Sequence, residues 1–209
     1  MAFKTMTLQP VDSKHYLIEN VHINQLSVLG SGTMGCGITL CLAQADLPVI
    51  LWSRKGEGKV KGRIIRALEE EFYESALSRG EINRFLSNIY ITSELNLVAE
   101  SDIVIESVVE DLEVKRELFQ RLSHICMPST ILASNTSTFC IHEIASQVLY
   151  PERVIGMHFF NPAYQTAVIE VVCGQATSEE TFSLIKKLAM VLGKEVIRVE
   201  DKPGFIVSQ

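Results

Sequence analysis

The sequence has 209 residues, of which 47% are hydrophobic and 21% charged, and its formal net charge at pH 7 is −6. A chain of this length and composition can bury a substantial core, which excludes a disordered chain. It contains no run of about 18 apolar residues, which excludes a transmembrane helix, and its negative charge argues against nucleic acid as the main partner.

The cysteines indicate the redox compartment. There are five, they are scattered, and none forms a C-x-x-C pair; they are Cys36, Cys41, Cys126, Cys140 and Cys173. An odd, dispersed set fits neither a disulfide framework nor a zinc cluster, so no metal site is expected. Residues 1–24 have no apolar leader, and we therefore expect a reducing, cytoplasmic location without membrane association.

Short β-rich runs alternate with longer helical stretches along the chain. The predicted strands are Ile23–Leu29, Pro48–Trp52, Ile89–Thr92, Ile103–Val109, Thr130–Ser134, Val154–Phe159, Val168–Cys173 and Val196–Val199. The predicted helices are Thr33–Ala45, Gly56–Arg79, Leu112–Ile125 and Ser178–Leu192. This alternation indicates βαβ units, so we predict an α/β fold with a doubly wound, mostly parallel sheet.

A glycine-rich loop follows the first predicted strand and opens the first helix. It reads Gly30-Ser31-Gly32-Thr33-Met34-Gly35, the G-x-G-x-x-G pattern. The first glycine permits a tight turn, the second lets the backbone approach a pyrophosphate, and the third allows close packing of helix on strand. The helix N-terminus attracts phosphate charge. The loop predicts a Rossmann-type dinucleotide-binding domain; the alternative is an ordinary tight βα turn.

The end of the second predicted strand bears on the choice of cofactor. An acidic residue about twenty positions past the loop would bind the ribose 2′-hydroxyl of NAD. Here Ser53 occupies that place, Arg54 and Lys55 follow, and the first carboxylate is Glu57. A hydroxyl with an arginine fork suits a 2′-phosphate. We therefore expect NADP(H) rather than NAD(H); the alternative is a solvated turn.

One histidine stands out among five. His158 lies near the carboxyl end of a predicted strand, and the carboxyl ends of parallel strands line a ligand crevice. Glu170 lies in the next, otherwise apolar strand, and a buried carboxylate there requires a partner. A His–Glu pair would fix the imidazole tautomer and stabilise its protonated form. The alternatives are a structural ion pair or an edge-facing glutamate, and His124 and His142, on predicted helices, are interpreted as structural or solvated.

Five ordered segments resemble the N-terminal domain of the L-3-hydroxyacyl-CoA dehydrogenase family, which includes 3-hydroxybutyryl-CoA dehydrogenases. The segments are Gly30–Gly35, Glu106–Glu110, Ser134–Ser137, His158–Pro162 and Pro203–Phe205. The resemblance implies an oxidoreductase of fatty acid metabolism. Such an enzyme would transfer a hydride between NADP(H) or NAD(H) and a 3-hydroxyacyl or 3-oxoacyl thioester, carried on CoA or acyl carrier protein.

The resemblance also implies roles for four catalytic residues. His158 matches the family's proton-transfer base and Glu170 its orienting carboxylate. Ser137 matches the hydroxyl that bonds the substrate's 3-oxygen, and Asn161 the amide that positions substrate and nicotinamide. For Ser137 and Asn161 the alternative is loop capping.

Two further residues, Glu110 and Lys115, fall where the family lines the cofactor pocket. For Lys115 the alternative is an exposed helix charge. Two departures from the family concern specificity: Ser53-Arg54 replaces the acidic position of the NAD-using members, and Tyr164–Ala167 replaces a basic, Met-containing stretch before the glutamate.

The domain organisation follows from the extent of the resemblance. We expect an N-terminal extension at 1–23, the dinucleotide-binding domain at 24–202, and at 203–209 the start of a linker to a helical C-terminal domain that this sequence lacks. The chain is then expected to bind cofactor well and to turn over acyl-CoA poorly. A homo-oligomer, or a partner that supplies the lacking domain, stays open.

A second class of function is a non-catalytic dinucleotide-binding or crystallin-like structural protein of the same fold. The joint presence of Ser137, His158, Asn161 and Glu170 favours the enzyme.

Overall fold

The computed structural model describes residues 16–18, 21–71 and 78–204. The strands are β1 (Tyr16–Ile18), β2 (Val21–Ile23), β3 (Leu26–Leu29), β4 (Val49–Trp52), β5 (Ile89–Thr92), β6 (Ile103–Glu106), β7 (Ile131–Ser134), β8 (Val154–Phe159), β9 (Val168–Cys173) and β10 (Glu195–Glu200). The helices are α1 (Thr33–Gln44), α2 (Glu57–Glu71), α3 (Arg79–Ser87), α4 (Leu112–Ile125), α5 (Ile141–Ile144) and α6 (Glu179–Val191).

Eight strands form one sheet in the order β10-β9-β8-β7-β6-β3-β4-β5. Neighbours are parallel except β8 and β9, which are antiparallel. One buried cluster joins the sheet to α1, α2 and α6, and a second joins it to α4 and α5. Helices therefore cover both faces, and the predicted doubly wound, mostly parallel sheet is confirmed.

The strand order places the ligand crevice. The chain runs outward from β3 through β4 to β5 and then returns to start β6 on the other side of β3. In open α/β sheets, ligands bind at the carboxyl ends of the strands where the order reverses in this way. The loop that follows β3 lies at this point.

The first predicted strand is shorter than its apolar run suggests. Ile23 ends β2, which pairs with β1 in a separate two-stranded sheet, and β3 begins only at Leu26. The carboxylate of Asp102 accepts hydrogen bonds from the backbone N–H groups of Asn24 and Gln25, at 2.6 and 3.0 Å. This contact holds the two residues between the strands and separates β2 from β3.

The predicted helix 56–79 is also wrong in its extent. Helix α2 ends at Glu71, residues 72–77 lie outside the described part of the chain, and a separate helix α3 starts at Arg79. Ser78 caps α3 by accepting from the backbone N–H of Glu81, whose side chain accepts in return from the backbone of Ser78. The S-x-x-E spacing of this capping box was the sequence signal for the extra helix.

Other boundaries agree closely with the sequence. Four predicted elements match in both bounds: Ile89–Thr92, Leu112–Ile125, Val154–Phe159 and Val168–Cys173. The strand predicted at 103–109 ends instead at Glu106, whose carboxylate forms a buried ion pair with Lys115. Among the helices in the described part of the chain, none has the length and apolar character needed to cross a membrane.

Candidate active site

The glycine-rich loop has the geometry that a dinucleotide needs. Gly30 has φ +113°, and a Cβ added to it would lie 2.2 Å from the carbonyl oxygen of Ser107. A Cβ on Gly35 would lie 2.0 Å from the carbonyl oxygen of Gly30. A Cβ on Gly32, in contrast, would meet no atom within 4 Å. Two glycines are thus required by packing, while Gly32 faces the open space into which a pyrophosphate can move, so the loop fits the cofactor.

Of the remaining loop positions, Thr33 and Met34 begin α1, whereas Ser31 precedes it. Thr33 is exposed and Met34 is half-buried against the core. Ser31 is 5% exposed, and its hydroxyl lies 2.7 Å from the hydroxyl of Ser53 at the end of β4. The glycine-rich loop is therefore tied to the end of β4.

The predicted cofactor-selecting residues divide into a buried and an exposed group. Ser53 is 3% exposed, and its hydroxyl also accepts from the backbone N–H of Lys55 at 3.1 Å. Arg54 and Lys55 are exposed at the start of the segment that leads into α2. Ser53 therefore connects the glycine-rich loop to the end of β4, whereas the side chains of Arg54 and Lys55 face outward next to it.

A buried ion cluster lies beside the loop. Lys115 on α4 is 1% exposed, and its ammonium is 2.6 Å from Glu106 and 3.1 Å from Glu110. Glu106, at the end of β6, is fully buried and accepts from the hydroxyl of Ser134 at 2.6 Å and from the N–H of Val108 at 2.7 Å. The alternative of an exposed charge at Lys115 is wrong, because the side chain is buried between two carboxylates.

The same cluster reaches the loop after β7 through Glu110. Its carboxylate accepts from the hydroxyl of Thr136 and from the backbone N–H of Ser137. Burial raises the pKa of Glu110, but the hydrogen bond from Thr136 and the positive charge of Lys115 outweigh it and hold the pKa below its ordinary value. Glu110 therefore stays ionised and fixes the loop that carries Ser137.

His158 and Glu170 meet across the antiparallel pair of strands. They are register partners in β8 and β9, and Nδ1 of His158 lies 2.8 Å from Oε2 of Glu170. The side chain of Glu170 is 1% exposed and that of His158 is 13% exposed. The alternative of an edge-facing glutamate is wrong, because β9 lies between β8 and β10.

Ser137 and Asn161 follow the carboxyl ends of the neighbouring strands β7 and β8. Ser137 is half-buried and Asn161 is exposed. Asn135 connects the loop after β7 to the end of β8, since its side-chain oxygen accepts from the backbone N–H of Phe159 at 2.8 Å. The residue that follows His158 is thereby held by the loop that carries Ser137.

Sequence reasoning missed several residues that support the site. They are Glu106, Asn135 and Thr136. The available signal was a carboxylate at the end of an apolar strand for Glu106. The partners of the others depend on contacts between distant segments.

His142 is exposed and also has a hydrogen-bond partner. Its Nδ1 lies 2.6 Å from Oδ2 of Asp201, whose carboxylate also accepts from the backbone N–H groups of Ile141 and His142. Cys140, His142 and Asp201 bring three donor atoms within 4.8 Å of one another. Because the carboxylate already holds two backbone N–H groups and an imidazole, its role here is to cap α5.

Comparison with known proteins identifies the family. The model of the family described as 3-hydroxyacyl-CoA dehydrogenase, NAD binding domain, matches residues 25–202. The chain belongs to this family. Its domain is therefore one that binds a nicotinamide dinucleotide, in agreement with the open loop at Gly32.

Individual relatives agree with this assignment. A probable 3-hydroxybutyryl-CoA dehydrogenase of Bacillus subtilis is 39% identical over 90% of this chain and 67% of its own length. A 3-hydroxyadipyl-CoA dehydrogenase of Escherichia coli is 36% identical over 90% of this chain and 40% of its own. The crystal structure of an (S)-3-hydroxybutyryl-CoA dehydrogenase from Ralstonia eutropha has a TM-score of 0.83 and 31% identity, and the match covers 88% of this chain and 66% of that one. The chain thus spans between 40% and 67% of the length of these relatives.

Proposed function

We propose that this chain carries the cofactor site and the reacting groups of an oxidoreductase acting on 3-hydroxyacyl or 3-oxoacyl thioesters, carried on CoA or on acyl carrier protein. The observation that carries the proposal is the His158–Glu170 pair, placed on two strands of the same sheet as β3, the strand that the dinucleotide loop follows. A nicotinamide cofactor bound at that loop would supply or accept the hydride. The protein's own groups then handle the proton and the orientation of the substrate.

His158 acts in this proposal as the proton-transfer base. Because Nδ1 is held by Glu170, Nε2 is the nitrogen that exchanges a proton with the substrate's 3-hydroxyl. The nearly buried carboxylate of Glu170 fixes the ring and stabilises its protonated form, as an orienting carboxylate does in other histidine-based sites. In the reduction direction the same nitrogen returns the proton to the 3-oxygen.

Ser137 and Asn161 act as positioning groups for the substrate. Their loops follow adjacent strands, and Asn135 ties one loop to the backbone next to His158. We assign the hydroxyl of Ser137 to the substrate's 3-oxygen and the amide of Asn161 to the space between substrate and nicotinamide. Glu110 and Lys115 border the cofactor pocket, with Glu110 holding the N–H of Ser137.

The proposed cofactor preference is NADP(H) over NAD(H). Ser53 stands where an NAD-binding domain of this fold uses a carboxylate, and the exposed side chains that follow are the cations Arg54 and Lys55. A carboxylate would repel the 2′-phosphate, whereas an arginine fork binds it with paired, charge-assisted hydrogen bonds. In this proposal the buried Ser53 favours the 2′-phosphate because it carries no negative charge, and it also holds Ser31 in place. Arg54 makes the direct contact with the 2′-phosphate.

The test of the catalytic proposal is His158→Ala with His124→Ala as its control, since His124 is an exposed histidine of α4. In acetoacetyl-CoA reduction, followed by nucleotide absorbance, His158→Ala should lower kcat by roughly 10²–10⁴. The Kd for the nucleotide should change less than about threefold in both variants. Near-normal turnover by His158→Ala would exclude it as the base.

The test of the cofactor proposal is calorimetric titration of the unmutated chain and of Arg54→Ala with NADPH and NADH. The unmutated chain should bind NADPH more tightly, and Arg54→Ala should weaken NADPH by roughly 10-fold or more with little change for NADH. Equal or tighter NADH binding by the unmutated chain would overturn the preference.

A further inference from the structure

Arg63 on α2 is anchored directly to the dinucleotide loop. Its Nη1 donates to the carbonyl oxygen of Ser31 at 2.7 Å, across 32 positions of sequence. Ser31 stands between the first two glycines of the loop. The guanidinium is therefore held at the loop that binds the cofactor.

The same serine connects Arg63 to the cofactor-selecting corner. The carbonyl of Ser31 contacts Arg63, while its hydroxyl contacts the hydroxyl of Ser53 at 2.7 Å. Both serines are almost fully buried, at 5% and 3% exposure. One residue thus links Arg63 to the strand end where Rossmann-type domains distinguish a ribose hydroxyl from a 2′-phosphate.

The charge at this corner is strongly positive. Residues 54–63 contain five cations, Arg54, Lys55, Lys59, Lys61 and Arg63, against the single carboxylate Glu57. Burial raises the pKa of the Cys36 thiol in the first turns of α1, and the positive charges of Arg63 and Lys55 oppose that rise. Both cations therefore act on the first turns of the helix that the loop opens.

Arginine chemistry suits the ligand group that this corner is proposed to bind. A phosphate monoester carries nearly two negative charges near pH 7. The guanidinium has five N–H donors in a rigid fork, of which the Ser31 carbonyl takes one. A fork already fixed on one side loses little freedom when its remaining donors pair with phosphate oxygens.

We propose that Arg63 is a second arginine of the 2′-phosphate site, acting with Arg54 to select NADP(H). This inference rests on the proposed cofactor preference and adds a residue that the loop and strand-end motifs do not include. Arg54 approaches the phosphate from the exposed turn, and Arg63 approaches it from α2 on the side of Ser31.

The experiment compares Arg63→Gln with Arg66→Gln, an exposed arginine one turn further along α2. Each variant is titrated calorimetrically with NADPH and NADH, and with 2′,5′-ADP and 5′-AMP as the corresponding adenosine ends. Arg63→Gln should raise the Kd for NADPH and for 2′,5′-ADP by roughly 10-fold or more. It should change the Kd for NADH and 5′-AMP less than about threefold, and Arg66→Gln should change none of the four by more than that.

Arg63→Lys keeps a cation near Ser31 but removes the fork, and it remains informative if the glutamine variant folds poorly. It should lose part of the NADPH affinity and keep the NADH affinity. An equal loss for both nucleotides in Arg63→Gln and Arg63→Lys would show that Arg63 only shapes the loop, and would overturn the inference. If NADPH binds tightly and its affinity depends on Arg54 but not on Arg63, the role of Arg63 is overturned and the proposed NADP(H) preference stands. If the unmutated chain prefers NADH, the proposed cofactor preference itself is overturned.

Discussion

Replacing Lys115 by Met tests the buried ion cluster beside the cofactor loop. The Lys115 ammonium lies 2.6 Å from Glu106 and 3.1 Å from Glu110, and the Lys115 and Glu106 side chains are 1% and 0% exposed. The variant leaves Glu106 with only the Ser134 hydroxyl and the Val108 N–H as partners in the described structure. Removing one member of a buried pair costs about 3–5 kcal/mol, because the other charge stays buried without compensation. For a domain of this size the melting temperature should fall by about 6–20 °C.

The assay is urea unfolding, with Lys186→Met on the exposed side of α6 as the control. The double variant Lys115→Met/Glu106→Gln should lose less free energy of unfolding than the sum of the single variants, by about 0.5–3 kcal/mol. A loss below about 1 kcal/mol for Lys115→Met, or strict additivity, would refute a buried charge pair.

Three further outcomes are expected. Gly32→Ala should keep the melting temperature of the unmutated chain but lose nucleotide binding, because the added Cβ meets no protein atom and enters only the space proposed for the pyrophosphate. Gly30→Ala should lower the melting temperature, because Gly30 has φ +113° and its added Cβ would lie 2.2 Å from a backbone oxygen. Glu170→Gln should reduce kcat by part of the His158→Ala factor, and the double variant should be no slower than His158→Ala, since the pair acts as a unit; multiplicative losses would contradict this. Burial acts to raise the pKa of Glu110, but hydrogen bonds and the neighbouring cation Lys115 hold it below the ordinary 4.5 in the folded state. The unfolded chain therefore binds the proton first, and the stability that Glu110 contributes should be present above pH 4.5 and lost as the pH falls below it. Chemical unfolding of Glu110→Gln should show a weaker acid dependence than the unmutated chain, and an unchanged dependence would show that Glu110 is not the group responsible.

The sequence by itself determined the fold class and the place of the glycine-rich loop. Both depend on local patterns: apolar runs of strand length, helical stretches between them, and glycines where the backbone must turn tightly or be approached closely. The pairing of His158 with Glu170 was also accessible, because a buried strand carboxylate requires a nearby partner and the connecting loop is short. Helix α3 carried a local signal too, in the reciprocal cap between Ser78 and Glu81.

Only the tertiary structure decided which way the strands β8 and β9 run relative to each other, and hence the register that places Nδ1 of His158 2.8 Å from Glu170. It also decided that Lys115 is buried, since helical spacing cannot show that two carboxylates from a strand end and a loop converge on it. Arg63 was hidden for the same reason, because its acceptor lies 32 positions earlier in the chain. A periodic pattern reports which face of an element is apolar, but a polar contact between distant segments forms only when the packed sheet brings their backbones together.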